Sequence, residues 1–439
     1  MHPEAMRVHA PATVRPDFAQ ILARVRNLRP QIEERALAAE KAKRVPAETM
    51  EALRDTTVFR LMQPARFGGY EYGPAELAEV GFELGRACGS TGWCGTLAVC
   101  FGWMTSFFPL QAQQEVWDDP ENLLAVSYTP SPKVEVVDGG IKIAGSWPWA
   151  GVDSAAWLIL SFLIPGKDAP PTLAWCLVPV RDVIVDHDSW NVSGLQGTGS
   201  KTVAIHDAVF VPAHRILPLG AIFSGRVPGL DVPGNSEARF GYPTFGPTAL
   251  VAPIVGMAQG GLDAFTETAR GAKRMARPGV FEKVAESQLI QSLVGQAAAR
   301  IDAARTLVLS SLREGQDVVR SGGSLEIEQR VRIRRNHGFA GRTSSEVVNE
   351  IYAKSGGGGR REKSHSAILA RRQYRGAPFQ HRLGHVVGSL WVPATGLAAA
   401  RHFLRSHLLR LRPAPCKLVI PSAPWRSFAH ARQAPPAPP

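Results

Sequence analysis

The stretch Gly194-Leu195-Gln196-Gly197-Thr198-Gly199-Ser200, followed by Thr202-Val203-Ala204-Ile205-His206-Asp207-Ala208-Val209-Phe210-Val211-Pro212, decides how the rest of the chain is read. Three glycines in seven residues allow positive φ and a close approach of backbone to a ligand. The run behind them is β-branched and alternating, with a turn expected at His206-Asp207 and a proline to end it. Strand patterning is confined to the region around this loop. It predicts strands at 123–128, 134–137, 141–143, 157–164, 172–178, 183–185 and 202–211, with Asp138-Gly139-Gly140 as a hairpin turn. Short strands between frequent turn signals indicate an antiparallel barrel or sandwich, not a βαβ sheet.

Outward from this region the rhythm is helical, before Asn122 and again from Thr248 to Lys354. Phe18, Ile21, Leu22, Val25, Leu28 and Ile32 follow the 3.6-residue period of one amphipathic helix. Pro46 suits the first turn of a second helix, Pro64 and Gly68-Gly69 mark a hinge, and Pro74 restarts the helix. Gly89-Ser90-Thr91 opens an uncharged helix. Farther on, Leu289, Leu293, Ala297, Ile301, Ala304, Val308 and Leu312 form a bundle seam, and another helix is expected over 326–353. The Gly/Pro-rich span 220–247 reads as a long, lid-like connection. The expected class is α+β. A helical domain covers 1–121, a central β-barrel domain 122–225 and an incomplete C-terminal helical bundle 226–359, and a basic, Pro-rich tail covers 360–439.

The net charge of +12 suggests nucleic acid, but its placement argues otherwise. Residues 360–439 hold 14 Lys and Arg and one acid, Glu362, which leaves 36 basic and 37 acidic residues in 1–359. The body is therefore electrically ordinary, and no nucleic-acid partner is expected of it. Cys88, Cys94, Cys100, Cys176 and Cys416 make an odd set with no metal-type pair; they read as free thiols of a reducing compartment. Residues 1–17 lack the apolar core of a secretory signal. The uncharged stretch between Arg86 and Glu115 is diluted by Ser, Thr and Gly, which favours a buried helix over a membrane span. The expected location is the cytoplasm, with no membrane partner.

Five motifs in order carry a resemblance. They are Phe67-Gly68-Gly69, Gly89-Ser90-Thr91-Gly92-Trp93, Gly145-Ser146-Trp147-Pro148-Trp149-Ala150-Gly151, the 194–200 loop with Val209-Phe210-Val211-Pro212, and Ser355-Gly356-Gly357-Gly358. Over residues 17–359 the chain resembles the acyl-CoA dehydrogenase fold. It is closest to the flavin-dependent monooxygenase branch, the oxygenase components of two-component systems that hydroxylate phenols and aromatic polyketides. The resemblance implies an N-terminal helical domain, a central antiparallel β-domain and a C-terminal helical bundle. It further implies reduced FMN or FAD delivered by a separate flavin reductase, O2 reacting to a C4a-hydroperoxide, a small aromatic substrate, and a homotetramer. For particular residues it implies Ser127, Tyr128 and Thr129 along the isoalloxazine edge, Trp147 and Trp149 flanking the ring, and Arg274 and Arg277 at the phosphate. Ser355, Gly356 and Gly357 would let the backbone approach the cofactor. From the residues alone, the tryptophans read as core, Arg274 and Arg277 as a solvated face, and Gly356–Gly359 as a helix end.

The chain departs from the family pattern in several places. No dinucleotide fingerprint is present, which agrees with a separate reductase. The His-x-Trp of related hydroxylases reads Phe101-Gly102-Trp103 here. Ala150 is followed directly by Gly151 where a serine is usual, and Gln196 replaces an arginine. His206, His214 and His337 read as surface residues, so no catalytic residue is assigned. The acid-free run from Lys363 to Pro439 resembles a changed reading frame in GC-rich coding sequence. The alternatives are an acyl-CoA dehydrogenase-type flavoprotein, or a catalytically defective homologue acting only as an oligomer partner.

Overall fold

A computed structural model describes residues 15–131, 133–166 and 170–355. The readings made for Gly356, Gly357, Cys416 and the whole 360–439 tail lie outside these residues. Helices α1 (Phe18–Asn27), α2 (Arg29–Ala42), α3 (Ala47–Asp55), α4 (Pro74–Ala87), α5 (Gly89–Met104) and α6 (Leu110–Val116) precede the strands. The single amphipathic helix expected over 18–32 is two, because the chain turns at Leu28 and Pro30 starts α2.

Strands β1 (Leu124–Ser131), β2 (Lys133–Val137), β3 (Gly140–Ala150), β4 (Trp157–Ile164), β5 (Thr172–Pro179), β6 (Ile184–Asp186), β7 (Lys201–Pro212) and β8 (Ile216–Pro218) form two four-stranded sheets. Their orders are β1-β4-β5-β8 and β2-β3-β7-β6. All pairs are antiparallel except β1 with β4. The expected hairpin joins β2 to β3, with Gly139 at φ 73°. The turn expected at His206-Asp207 is instead a bulge. β7 continues through it, and Ile143 pairs with Val209 while Gly145 pairs with Ile205.

Alternation along the strands sorts residues between two cores. On β4, Leu158, Leu160 and Phe162 pack into the space between the sheets, while Trp157 and Ile159 pack toward the helices. On β5, Ala174, Cys176 and Val178 go inward and Trp175 and Leu177 go outward. The first sheet is thus buried on both faces, which explains the near-continuous apolar run of β4.

After the strands come α7 (Leu219–Ser224), α8 (Tyr242–Phe245) and α9 (Thr248–Gly271), then a hairpin of β9 (Lys273–Arg277) and β10 (Val280–Lys283). Helices α10 (Gln288–Arg320) and α11 (Ile327–Lys354) follow. The span read as lid-like is packed, not open: Val232, Asn235, Phe240, Tyr242 and Phe245 are buried. Asn235 donates through Nδ2 to the carbonyls of Ser106 and Gly229. Helix α9 contains Pro253, whose missing N–H leaves the Ala249 carbonyl without its helical partner. The Thr96 hydroxyl on α5 donates to that carbonyl at 2.7 Å and so ties the N-terminal helices to the bundle. Among the described residues, the segment Tyr242–Gly271 is long and apolar enough to cross a membrane, but 78% of its most apolar 18-residue stretch is buried in the protein.

Candidate functional site

The glycine loop is the first place to look, and its amides are already occupied. Gln196–Thr198 form a single tight turn flanked by Leu195 at φ 55° and Gly199 at φ 56°, both left-handed. The N–H groups of Gln196 and Gly197 donate to the Glu40 carboxylate at 3.0 and 3.2 Å, and the Ser90 hydroxyl donates to it too. Glu40 is buried on α2, one step along the stripe of Ile32 and Ala36. A Cβ at Gly197 would collide with Ser90 and the backbone of Ala39, so only glycine permits this contact. Cys94 Sγ adds a 3.5 Å contact to the Thr198 carbonyl, and burial pushes that thiol up to about 12, which keeps it protonated. Beside the loop, buried Lys201 pairs with Asp153. The backbone approach expected here is therefore to a carboxylate of the chain itself.

The surface left available lies at the ends of β1 and β3. Alternation on β1 turns Ser127 toward the second sheet and Tyr128 toward the helices. Ser127 Oγ donates to the Pro148 carbonyl at 2.7 Å, bridging the two sheets. The β3–β7 register shifts between Trp147 and Ala150, and in this bulge Trp149 adopts φ 65°. A bulky residue in the left-handed region is strained, and such strain concentrates at functional positions. The bulge separates the two tryptophans. Trp147 is fully buried in the core between the sheets, with Nε1 donating to the Ser161 carbonyl at 2.8 Å, whereas Trp149 is 61% exposed. Trp147 has no face to offer a ligand; Trp149 does.

Tyr128 keeps 42% of its surface exposed, yet its hydroxyl is bonded to that of Tyr242. Around Tyr242 stand Trp103 at 5.9 Å, Phe107 at 6.5 Å and Trp175 at 5.5 Å between ring centroids. Burial pushes both phenols above their usual range. Phe101, at the place of the expected histidine, is buried on α5.

The remaining candidates are held elsewhere. Thr129 is half-buried on β1 beside Tyr128. Exposed Arg274 donates from Nη2 to Ser287 Oγ at 2.9 Å, and Arg277 sits on the same hairpin, paired through its backbone with Val280. Ser355 follows α11 and donates to the Ile351 carbonyl at 2.9 Å. Ser127 bonds the Pro148 carbonyl next to Trp149, and Tyr128 follows Ser127 on the opposite face of β1, whereas the hydrogen bonds of Arg274 and Ser355 go to Ser287 and Ile351. Of the histidines, His206 is exposed and His214 is half-buried against Glu115 at 2.8 Å. His337, read as a surface residue, is 1% exposed and contacts Thr248 Oγ1 at 3.1 Å. Burial, reinforced by nearby Arg334, lowers it to about 3. A cleft of about 790 Å³, lined by residues including Glu115, Trp157 and Arg215, opens near the start of β1 and contains none of the candidates.

Glu40 and Tyr242 were missed from sequence. Glu40 lies on the buried stripe of α2, and Tyr242 belongs to the aromatic run Phe240, Tyr242, Phe245 inside the Gly/Pro-rich connection; both signals were present.

Two sheets clasped between helical segments, with exposed aromatic faces at one end of the strands, define the class as the acyl-CoA dehydrogenase fold. The family model "Acyl-CoA dehydrogenase, C-terminal domain" matches residues 248–377. The chain is 34% identical over 331 residues to the oxygenase subunit HsaA of a flavin-dependent monooxygenase from Rhodococcus jostii, covering 75% of this chain and 86% of that one. It is 35% identical over 359 residues to the oxygenase component of an FADH(2)-dependent resorcinol hydroxylase from Rhizobium sp., covering 80% and 87%. The crystal structure of the HsaA monooxygenase from M. tuberculosis superposes with a TM-score of 0.77 at 30% identity, covering 85% of this chain and 97% of that one. The chain belongs to the oxygenase subunits of the flavin-dependent monooxygenases and is an oxidoreductase of that family.

Proposed function

We propose that this protein is the oxygenase component of a two-component monooxygenase that uses reduced FMN or FAD and O2 to hydroxylate a phenolic or polyketide-like aromatic substrate. The observation that carries the reading is the pair of exposed aromatic faces, Tyr128 and Trp149, on strand ends joined through Ser127 and the Pro148 carbonyl. A planar, largely apolar ring fits such a surface, because aromatic faces give contact area at little entropic cost. Trp149 and the backbone of Tyr128 and Thr129 would hold the ring system. The Arg274 guanidinium, and Arg277 on the same hairpin, would meet a phosphate, for which the guanidinium fork is suited. When bound, the reduced flavin supplies the activation of O2 and the transfer of one oxygen atom. The chain's tasks are to orient the substrate and to keep water from the reacting atoms.

Resorcinol hydroxylase among the relatives, and a structural neighbour, XiaF from Streptomyces sp., crystallised with FADH2 and glycerol, support the substrate class and the cofactor. A separate flavin reductase follows from this reading. A homotetramer is supported by large apolar side chains left exposed on α10 and α11: Leu289, Leu307, Ile327, Val331 and Phe339.

The test is turnover with a flavin reductase, NADH and a panel of phenols, with isotopically labelled O2. Label in the hydroxylated product is expected. Oxidation of reduced flavin entirely to hydrogen peroxide with every phenol would overturn the reading, and oxidation of an acyl-CoA without O2 would replace it with the dehydrogenase.

A further inference from the structure

An unbroken strand would place Trp147 and Trp149 on one face, because residues two apart share a side. They part because β3 carries one residue more than β7 opposite it. Trp147 pairs with Val203 and Ala150 with Lys201, three steps against two. Pro148, inside this bulge, has no N–H to give the ladder, and Trp149 takes φ 65°. Such a conformation persists only where its surroundings over-determine it. On one side the bulge is held by the Ser127 hydroxyl at the Pro148 carbonyl. Past it the β3–β7 ladder has a single pair, Ala150 with Lys201, and β3 ends there.

The side chain of Lys201 supplies the rest of the hold. It is buried, and its ammonium bonds the carboxylate of Asp153, which lies beyond the end of β3 on the turn Val152–Ser154. Lys201 thus grips this end of β3 twice, through its backbone at the last rung and through Nζ beyond it. Gly199 makes the room: a Cβ there would come within 2.4 Å of Asp153 Oδ2. We propose that Lys201 and Asp153 are a positioning pair, which locks the bulge that turns Trp149 out of the core and so sets the face that meets the flavin. This rests on the functional reading above, in which Trp149 holds the ring; neither Lys201 nor Asp153 is asked to touch flavin or substrate. A buried ammonium without its carboxylate is costly, so the pair closes in one arrangement. With the pair gone, the bulge relaxes and strand alternation returns Trp149 toward the core side.

The experiment compares full-length wild type, Lys201→Met, Lys201→Arg and Trp149→Leu by two readouts. Hydroxyl-radical footprinting without flavin, resolved by tandem mass spectrometry, follows oxidation of Trp149 against Trp147. Wild type should oxidise Trp149 far faster, since that ring is 61% exposed and the other 0%. In Lys201→Met the ratio should fall toward unity; Lys201→Arg, whose guanidinium still reaches Asp153, should keep it. The second readout is anaerobic titration with reduced FMN. Lys201→Met should weaken binding about tenfold on its own, but less than about twofold when added to Trp149→Leu, because the pair acts through that ring. If Lys201→Met does not fold, the double variant Lys201→Met/Asp153→Leu, which leaves no charge unpaired, takes its place. A wild type that oxidises both rings alike, a ratio unmoved by Lys201→Met, or FMN binding that Lys201→Met leaves intact overturns the proposal. Equal weakening with and without Trp149 does so too, and is what a merely structural role would give. Should wild type fail to bind reduced FMN while the oxidation ratio still answers to Lys201→Met, the functional reading breaks and the hold on Trp149 stands.

Discussion

The glycine loop around Gly197 and the aromatic seam around Tyr128 and Trp149 both converge on the end of β3, yet they are built from opposite chemistry. In the loop, polar groups are paired inside the protein: Glu40 with two backbone amides and the Ser90 hydroxyl, and Lys201 with Asp153. In the seam, one strand end holds a strained tryptophan outward and its neighbour exposes a tyrosine face. A region that satisfies its own donors holds structure; a region that leaves apolar area open has area for a ligand. The close approach that the loop's glycines allow is to Glu40, a carboxylate of the chain itself.

The largest effect that could break this comparison is in the core beneath the seam. Trp147→Ala is expected to cost about 3–5 kcal/mol in denaturant unfolding, since it empties a fully buried site and orphans the Ser161 carbonyl. Glu40→Ala should follow at about 3 kcal/mol, because two amides and a hydroxyl lose their acceptor in a buried place. If it proved neutral, the loop would not be held from α2.

Acid stability gives the next test. His337 normally titrates near 6.5 but only near 3 when folded, so the unfolded chain takes up this proton first. Stability contributed here is intact above about pH 6.5 and falls as pH drops toward 3. His337→Gln should flatten that part of the unfolding-versus-pH curve. An unchanged acid slope would count against a buried neutral imidazole. Smallest in stability is Trp149→Ala, expected to change unfolding by less than about 1 kcal/mol, since an exposed side chain is removed and the left-handed backbone carries a Cβ in both proteins.

Much of the fold could be read from local pattern. The strands, the Asp138-Gly139 hairpin and the long bundle helices follow from alternation, turn chemistry and the 3.6-residue period, all properties of neighbouring residues. The helix break at Leu28 escaped because the apolar period runs through it without a phase change. The bulge in β7 looked like a turn because both place polar residues mid-strand. The site was legible only in part. Trp147 and Trp149 are indistinguishable by composition, and only the register shift between them sends one inward and one outward. Tyr242 meets Tyr128 through a contact 114 residues long in sequence, which no local pattern reports. His337 looked solvated beside Arg334 and Arg335, because neighbours in sequence on a helix point in different directions.

The central claim, that the Trp149 face holds the reduced flavin, is tested most directly by anaerobic titration of reduced FMN and FAD into wild type and Trp149→Leu. Saturable binding to wild type, weakened about tenfold or more in the variant at an unchanged melting temperature, is the predicted result. Equal affinity of the two proteins would contradict it.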